Sequence, residues 1–116
     1  MAEQPQTLTV PQALDLAAQH HKAGRFTEAE TLHQQVLRAE PNQPTAIHML
    51  GVLAYQTGKN ELAFELISRA IELQPDVAEA HNNLGLVSQQ LGRTQNAKAS
   101  YQQALALMPN YLDAHC

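Results

Sequence analysis

The strongest constraint on this chain is that it matches itself when shifted by 34 residues, the step from Gly24 to Gly58 to Gly92. Ala29, Ala63 and Ala97 fall in the same register, as do Pro41, Pro75 and Pro109. Leu50-Gly51 lies over Leu84-Gly85, with Leu16-Ala17 in the first copy, and Val36, Ala70 and Ala104 complete the set. A fixed period of this size marks an array of stacked supersecondary units, each too small to bury its own apolar face. It divides the chain into a loose N-terminus over residues 1–8, repeats over 9–41, 42–75 and 76–109, and the opening of a fourth copy over 110–116. Because NYLDAHC overlays the start of the copy before it, the chain is expected to be the N-terminal part of a larger protein.

Each copy reads as two helices. Thr9 is expected to cap the first, with Pro11 in the opening turn, where its missing N–H costs nothing. Ala13, Leu14, Leu16, Ala17 and Ala18 then form one helical face up to Ala23, and Gly24 ends it. A second helix is predicted over Phe26 to Ala39, with Thr27 and Glu30 at capping-box spacing, a stripe of Leu32, Val36 and Leu37, and Pro41 and Pro44 beyond its end. The same plan predicts a helix over about Pro44–Gln56, one that follows a cap at Asn60 and runs to about Leu73, one over Ala78–Gln90, and one that follows a cap at Thr94 and reaches Leu107. Short loops force each pair antiparallel. Gly51 and Gly85 sit mid-helix at a cost of about 1 kcal/mol each against alanine, so they mark close helix approach. Alanines of the second helices (Ala29, Ala63, Ala70, Ala97, Ala104) are expected to accept Leu50, Leu84, Ile67 and Tyr101 as knobs.

Composition narrows the function classes. Seven Lys and Arg against eleven Asp and Glu leave a formal charge of −4, the wrong sign for displacing counterions from duplex nucleic acid. No apolar run reaches the roughly 18 residues a membrane span needs, and the N-terminus lacks the pattern of a secretory signal. With Cys116 as the one cysteine, no internal disulfide forms, and a cytoplasmic location is the default. Trp is absent and aromatics make up 4%, so alanine and leucine must build the core.

These residues resemble tetratricopeptide repeats. The third copy carries Leu84, Gly85, Ala97, Tyr101, Ala104 and Pro109; the second carries Leu50, Gly51, Ala63, Ile67, Ala70 and Pro75; the first carries Leu16, Ala17, Ala29, His33, Val36 and Pro41. The Trp often found early in the family's first helix is replaced by Ala13, Ile47 and His81. The resemblance implies an all-α solenoid of antiparallel helix pairs, a right-handed superhelix with first helices inside and second helices outside. ELQPDVAEAHNNLG is similar to repeats that precede the catalytic domain of O-linked N-acetylglucosamine transferases, and related arrays precede bacterial sulfotransferases. In those transferases an asparagine ladder holds the substrate backbone; here Asn83 takes that place, with Asp15 and Met49 in the other copies. Co-chaperones of the family clamp a terminal carboxylate with Lys and Asn. The matching positions Leu14, Ala18, Met49, Glu79 and Asn83 include no base, which argues against such a tail.

The expected working surface is a concave groove holding a protein or peptide, lined by His48, Val52, Tyr55, Asn82, Asn83, Leu86, Gln89 and Gln90. Amides and a tyrosine there suit an extended backbone, and Val52 and Leu86 offer apolar contact. His20 and His21 face different ways, and His33, His48, His81 and His115 sit on separate helices, so they are read as packing or groove residues with no metal or cofactor. His48 and His81 could still titrate against an acidic partner. No nucleophile elbow, phosphate-binding glycine loop or zinc-protease helix is present, so no catalytic residue is assigned. A protein-interaction scaffold is the first expectation. One alternative is the substrate-recruiting segment of a glycosyltransferase or sulfotransferase. Another is a self-assembling module, forming a homo-oligomer through an uncapped last helix that shows Ala97, Tyr101, Ala104, Leu105 and Met108.

Overall fold

The computed structural model describes residues 8–109. Among these it has six helices and no strand: α1 (Val10–Lys22), α2 (Phe26–Ala39), α3 (Pro44–Gln56), α4 (Asn60–Leu73), α5 (Ala78–Gln90) and α6 (Thr94–Leu107). The expectations for the first residues, the truncated fourth copy, His115 and Cys116 lie outside the described residues. Leu8, assigned to a loose N-terminus, is instead half-buried against a cluster of Ala13, Val36 and Ala46.

Helix α1 begins at a reciprocal cap: Gln12 N donates to Thr9 Oγ1 at 3.2 Å, and Thr9 N donates to Gln12 Oε1 at 2.9 Å. The hairpin turns rest on backbone conformation. Gly24, Gly58 and Gly92 take φ of +81°, +84° and +75°, and none would meet a neighbour within 4 Å if it carried a Cβ. Glycine is there for the left-handed backbone and not for space. The residue after each glycine donates back into the first helix: Arg25 N to His20 O, Lys59 N to Ala54 O and Arg93 N to Ser88 O, each at 2.8 Å.

That closure corrects three expected caps. Arg25, Lys59 and Arg93 occupy the cap positions of the second helices and make no side-chain cap bond, while Thr27, Asn60 and Thr94 lie inside the helices. The turn fixes where the next helix starts, so a capping side chain one or two residues later has no role left.

Each hairpin packs its two helices together, and each second helix packs on the next first helix, α2 on α3 and α4 on α5. Helix α3 also touches α5, whereas no comparable contact joins α2 to α4 or α4 to α6. At the second joint the first helices α3 and α5 therefore form the closed side and the second helices α4 and α6 splay apart on the other, whereas α1 makes no comparable contact with α3. The described chain measures 55 × 26 × 25 Å.

The core is built from small residues. Ala17, Ala29, Ala63 and Ala104 are fully buried, Ala70 and Ala97 nearly so, and Ile47, Ile67 and Val87 are the bulkiest apolar side chains wholly inside. Leu50 and Leu84 are half-buried, and Pro75 and Pro109 stand exposed just past the ends of α4 and α6. Ile67 and Tyr101 act as knobs as expected, but the holes they enter are the first-helix glycines and not the second-helix alanines. A Cβ on Gly51 would stand 2.6 Å from Ile67 Cγ1, and one on Gly85 would stand 2.5 Å from Tyr101 Cε1. Second-helix side chains press into first-helix glycines, because a missing Cβ leaves more room than an alanine does. In the first hairpin the same repeat positions hold Ala17 and His33, both buried.

Candidate peptide-binding face

The closed side of the stack is the surface of α3 and α5, flanked by α1. Two side-chain bonds cross it between neighbouring first helices, each joining residues 35 apart. His21 Nε2 lies 2.8 Å from Gln56 Oε1, and Asn83 Nδ2 lies 3.0 Å from His48 Nε2. One residue more than the repeat period is the register that brings a side chain opposite its neighbour on the adjacent helix.

The groove residues separate into layers. His48 was expected to line the surface; it is buried at 7% exposure and lies beneath it. Burial pushes its pKa below the usual histidine value, against a smaller upward pull from Glu79, so its ring is neutral and can accept the Asn83 amide N–H. Val52, Tyr55, Asn82 and Asn83 are half-buried, and Leu86, Gln89 and Gln90 are exposed. Gln89 is also held: its Oε1 accepts the Tyr101 hydroxyl at 2.6 Å. The empty side chain of Gly85, one turn earlier on α5, lets the Tyr101 ring cross α5 and reach it. Burial first and the nearby Tyr55 second raise the Tyr101 phenol, which stays a donor at neutral pH.

His81 departs from any groove role. It is 7% exposed, and its Nε2 lies 2.8 Å from the Pro75 carbonyl oxygen, tying α5 to the turn before it. His20 accepts from Arg25 Nε at 2.8 Å at the first hairpin turn, and His21 meets Phe26 edge-to-face at 5.4 Å. Among the described residues no three His, Cys, Asp or Glu side chains converge as metal ligands would. Gln56 and His21 belong to this face and were missed from sequence; comparing residues at an offset of 35 would have found them.

Comparisons with known proteins agree with this architecture. Two family models, each described as tetratricopeptide repeat, match residues 42–110 and 13–45. No match was found among curated protein sequences. Among solved structures, an O-GlcNAc transferase from Thermobaculum terrenum (a K341M mutant) superposes with a TM-score of 0.87 at 33% identity, covering 91% of this chain and 20% of that one. MamA superposes at 0.82 and 23% identity, over 91% of this chain and 62% of its own. The second repeat domain of Spaghetti (RPAP3), solved with the HSP90 peptide SRMEEVD, superposes at 0.79 and 19% identity, over 84% and 91%. The chain thus spans under two thirds of MamA and a fifth of the transferase. No helix among the described residues is long and apolar enough to cross a membrane. Three stacked hairpins, glycine-relieved helix contacts and family models spanning most of the chain lead to one assignment: the chain belongs to the tetratricopeptide repeat family.

Proposed function

We propose that this chain is a protein-interaction scaffold whose first-helix face holds an extended peptide. The observation that carries this reading is the set of polar side chains along α3 and α5 that the fold already holds in place: Asn83 on His48 and Gln89 under Tyr101, beside the half-exposed Tyr55 and Asn82. Amides fixed before binding lose little side-chain freedom on meeting a peptide backbone. The peptide-bound state of Spaghetti supports the class of ligand. It does not supply the ligand itself, because Leu14, Ala18, Met49 and Glu79 offer no base for a terminal carboxylate. The likeness to the O-GlcNAc transferase supports the same face acting as a substrate-recruiting surface where such a domain follows.

The test is selection of peptides from a displayed library by the wild-type chain, followed by affinity measurements on Tyr55→Ala and Asn83→Ala. Both variants are expected to lose at least about tenfold, the equivalent of one good contact. Unchanged affinity in both would remove the first-helix face as the working surface.

A second reading rests on α6, whose open side shows Leu105 at 39%, Leu107 at 37% and Met108 at 51% exposure. Such a face supports self-association. Light scattering is expected to show a mass that rises with concentration for the chain and stays monomeric for Leu105→Lys/Met108→Lys. A wild-type monomer throughout would discard this reading.

A further inference from the structure

A cavity lies on the splayed side of the stack, away from the first-helix face. It is a crevice of about 210 Å³ with a floor of Leu50, Leu53 and Ala54 from α3, and walls of Phe26 on α2 and Leu62 and Leu66 on α4. An apolar cavity of about 150 Å³ accepts benzene, so this one has room for an aromatic ring. Glu30 and Lys59 stand among its lining residues.

The repeat supplies an internal standard for what such a crevice holds. One period later, between α4 and α6, the place of Glu30 is taken by Phe64 and that of Lys59 by Arg93. There the Phe64 ring packs against the core cluster of Ala54, Ala63, Ile67 and Val87. The Arg93 guanidinium lies over the ring, 4.5 Å from its centroid, and donates to both carboxylate oxygens of Glu61 at 3.0 and 3.1 Å. An aromatic ring, a cation above it and a carboxylate one helical turn before the ring therefore close that joint. The joint between α2 and α4 keeps only the cation. Glu30 does not fill the gap: Gln34 Nε2 lies 3.4 Å from its carboxylate, along α2 itself, and among the described residues it forms no ion pair with Lys59. Leu62 at the rim is left 44% exposed.

We propose that the α2–α4 crevice docks an aromatic side chain from a helical partner segment that carries a carboxylate one turn ahead of the ring. The ring sits on Leu53 and Ala54 beneath the Lys59 ammonium, and the carboxylate pairs with Lys59, as Phe64 and Glu61 do with Arg93. This site is separate from the first-helix face and does not depend on it.

The probe is a capped, alanine-rich helical peptide containing Glu-Ala-Ala-Phe, labelled for fluorescence anisotropy. Wild type is expected to bind it saturably below millimolar concentration. Exchanging the peptide phenylalanine for alanine, or introducing Glu30→Phe into the chain to fill the crevice from within, should each weaken binding at least tenfold. Lys59→Glu should reverse the preference toward a Lys-Ala-Ala-Phe peptide, and this exposed change keeps the test decisive if Glu30→Phe fails to fold. Tyr55→Ala and Asn83→Ala should bind as wild type does. Binding that ignores the phenylalanine, survives Glu30→Phe and Lys59→Glu, or is lost with Tyr55→Ala would overturn the proposal. So would a wild-type dimer that Glu30→Phe turns into a monomer, since the crevice would then belong to a second copy of the chain.

Discussion

At the scale of single residues, the stack is tuned by pairs in which one side chain is absent so that another can lie flat. Gly51 faces Ile67, Gly85 faces Tyr101, and the first hairpin has Ala17 and His33 at those positions. Gly85→Ala should overpack against the tyrosine ring and cost about 1–3 kcal/mol, less the roughly 1 kcal/mol that alanine returns through helix propensity. Adding Tyr101→His recreates the first hairpin's pairing and should recover part of the loss, read as a denaturant midpoint. His33 is the least comfortable of these residues. It is 1% exposed, and neither ring nitrogen has a hydrogen-bond partner among the described residues. Burial first and nearby His21 second lower its pKa from 6.5 to about 4. The unfolded chain takes up this proton below about pH 6.5 and the folded chain does not until about pH 4. Stability is therefore full above 6.5 and drains as pH falls between those values, by up to about 3 kcal/mol. His33→Leu should reduce the fall in denaturant midpoint between pH 7.5 and 4.5; an unchanged fall would place the acid sensitivity elsewhere. The sequence showed that these positions repeat. It did not show which hole each knob enters, because that depends on how closely two helices approach.

Elements obey the period more closely than they obey side-chain capping rules. Helix limits follow from the glycine and proline registers, and the helices run where the repeat places them. Thr27, Asn60 and Thr94 look like caps only if the turn is ignored; once Gly24, Gly58 or Gly92 takes positive φ and the next N–H returns to the first helix, the start of the second helix is determined. Gly58→Ala should thus cost about 1–2 kcal/mol through the left-handed backbone alone. Thr9→Ala should cost about 1 kcal/mol by removing the one reciprocal side-chain cap, that of α1. Thermal unfolding of both variants separates the two effects: mutating Thr27 to Ala, with no cap to lose, should shift the midpoint far less than Thr9→Ala. The polar face was only partly legible for a related reason. Tyr55, Asn82 and Gln90 follow from helical spacing, but the depth of His48 and the bonds to Asn83 and Gln56 depend on how neighbouring hairpins are offset.

On the scale of the whole molecule, the two joints between hairpins are not equivalent. The joint between the second and third is braced on both sides, by His48 and Asn83 on one and by Arg93, Glu61 and Phe64 on the other. The joint between the first and second has His21 with Gln56 on one side and an open crevice on the other, with Arg69 bonding the turn at Asn42 at 2.9 Å. Stability in such an array is a sum of hairpin and interface terms, so opening should begin with α1 and α2. Amide hydrogen exchange is expected to show α1 and α2 exchanging ahead of α4 and α5, and equal protection in all four would count against this. The exposed Arg93–Glu61 pair, 37% and 68% exposed, adds under about 1 kcal/mol by itself. Its larger effect comes through the ring it covers. A stack with one joint more lightly tied than the other should bend there first: prying the splayed helices apart would curl the opposite surface inward, and squeezing them together would flatten it. Filling the gap beside α2 should therefore change the curvature of the face on the far side.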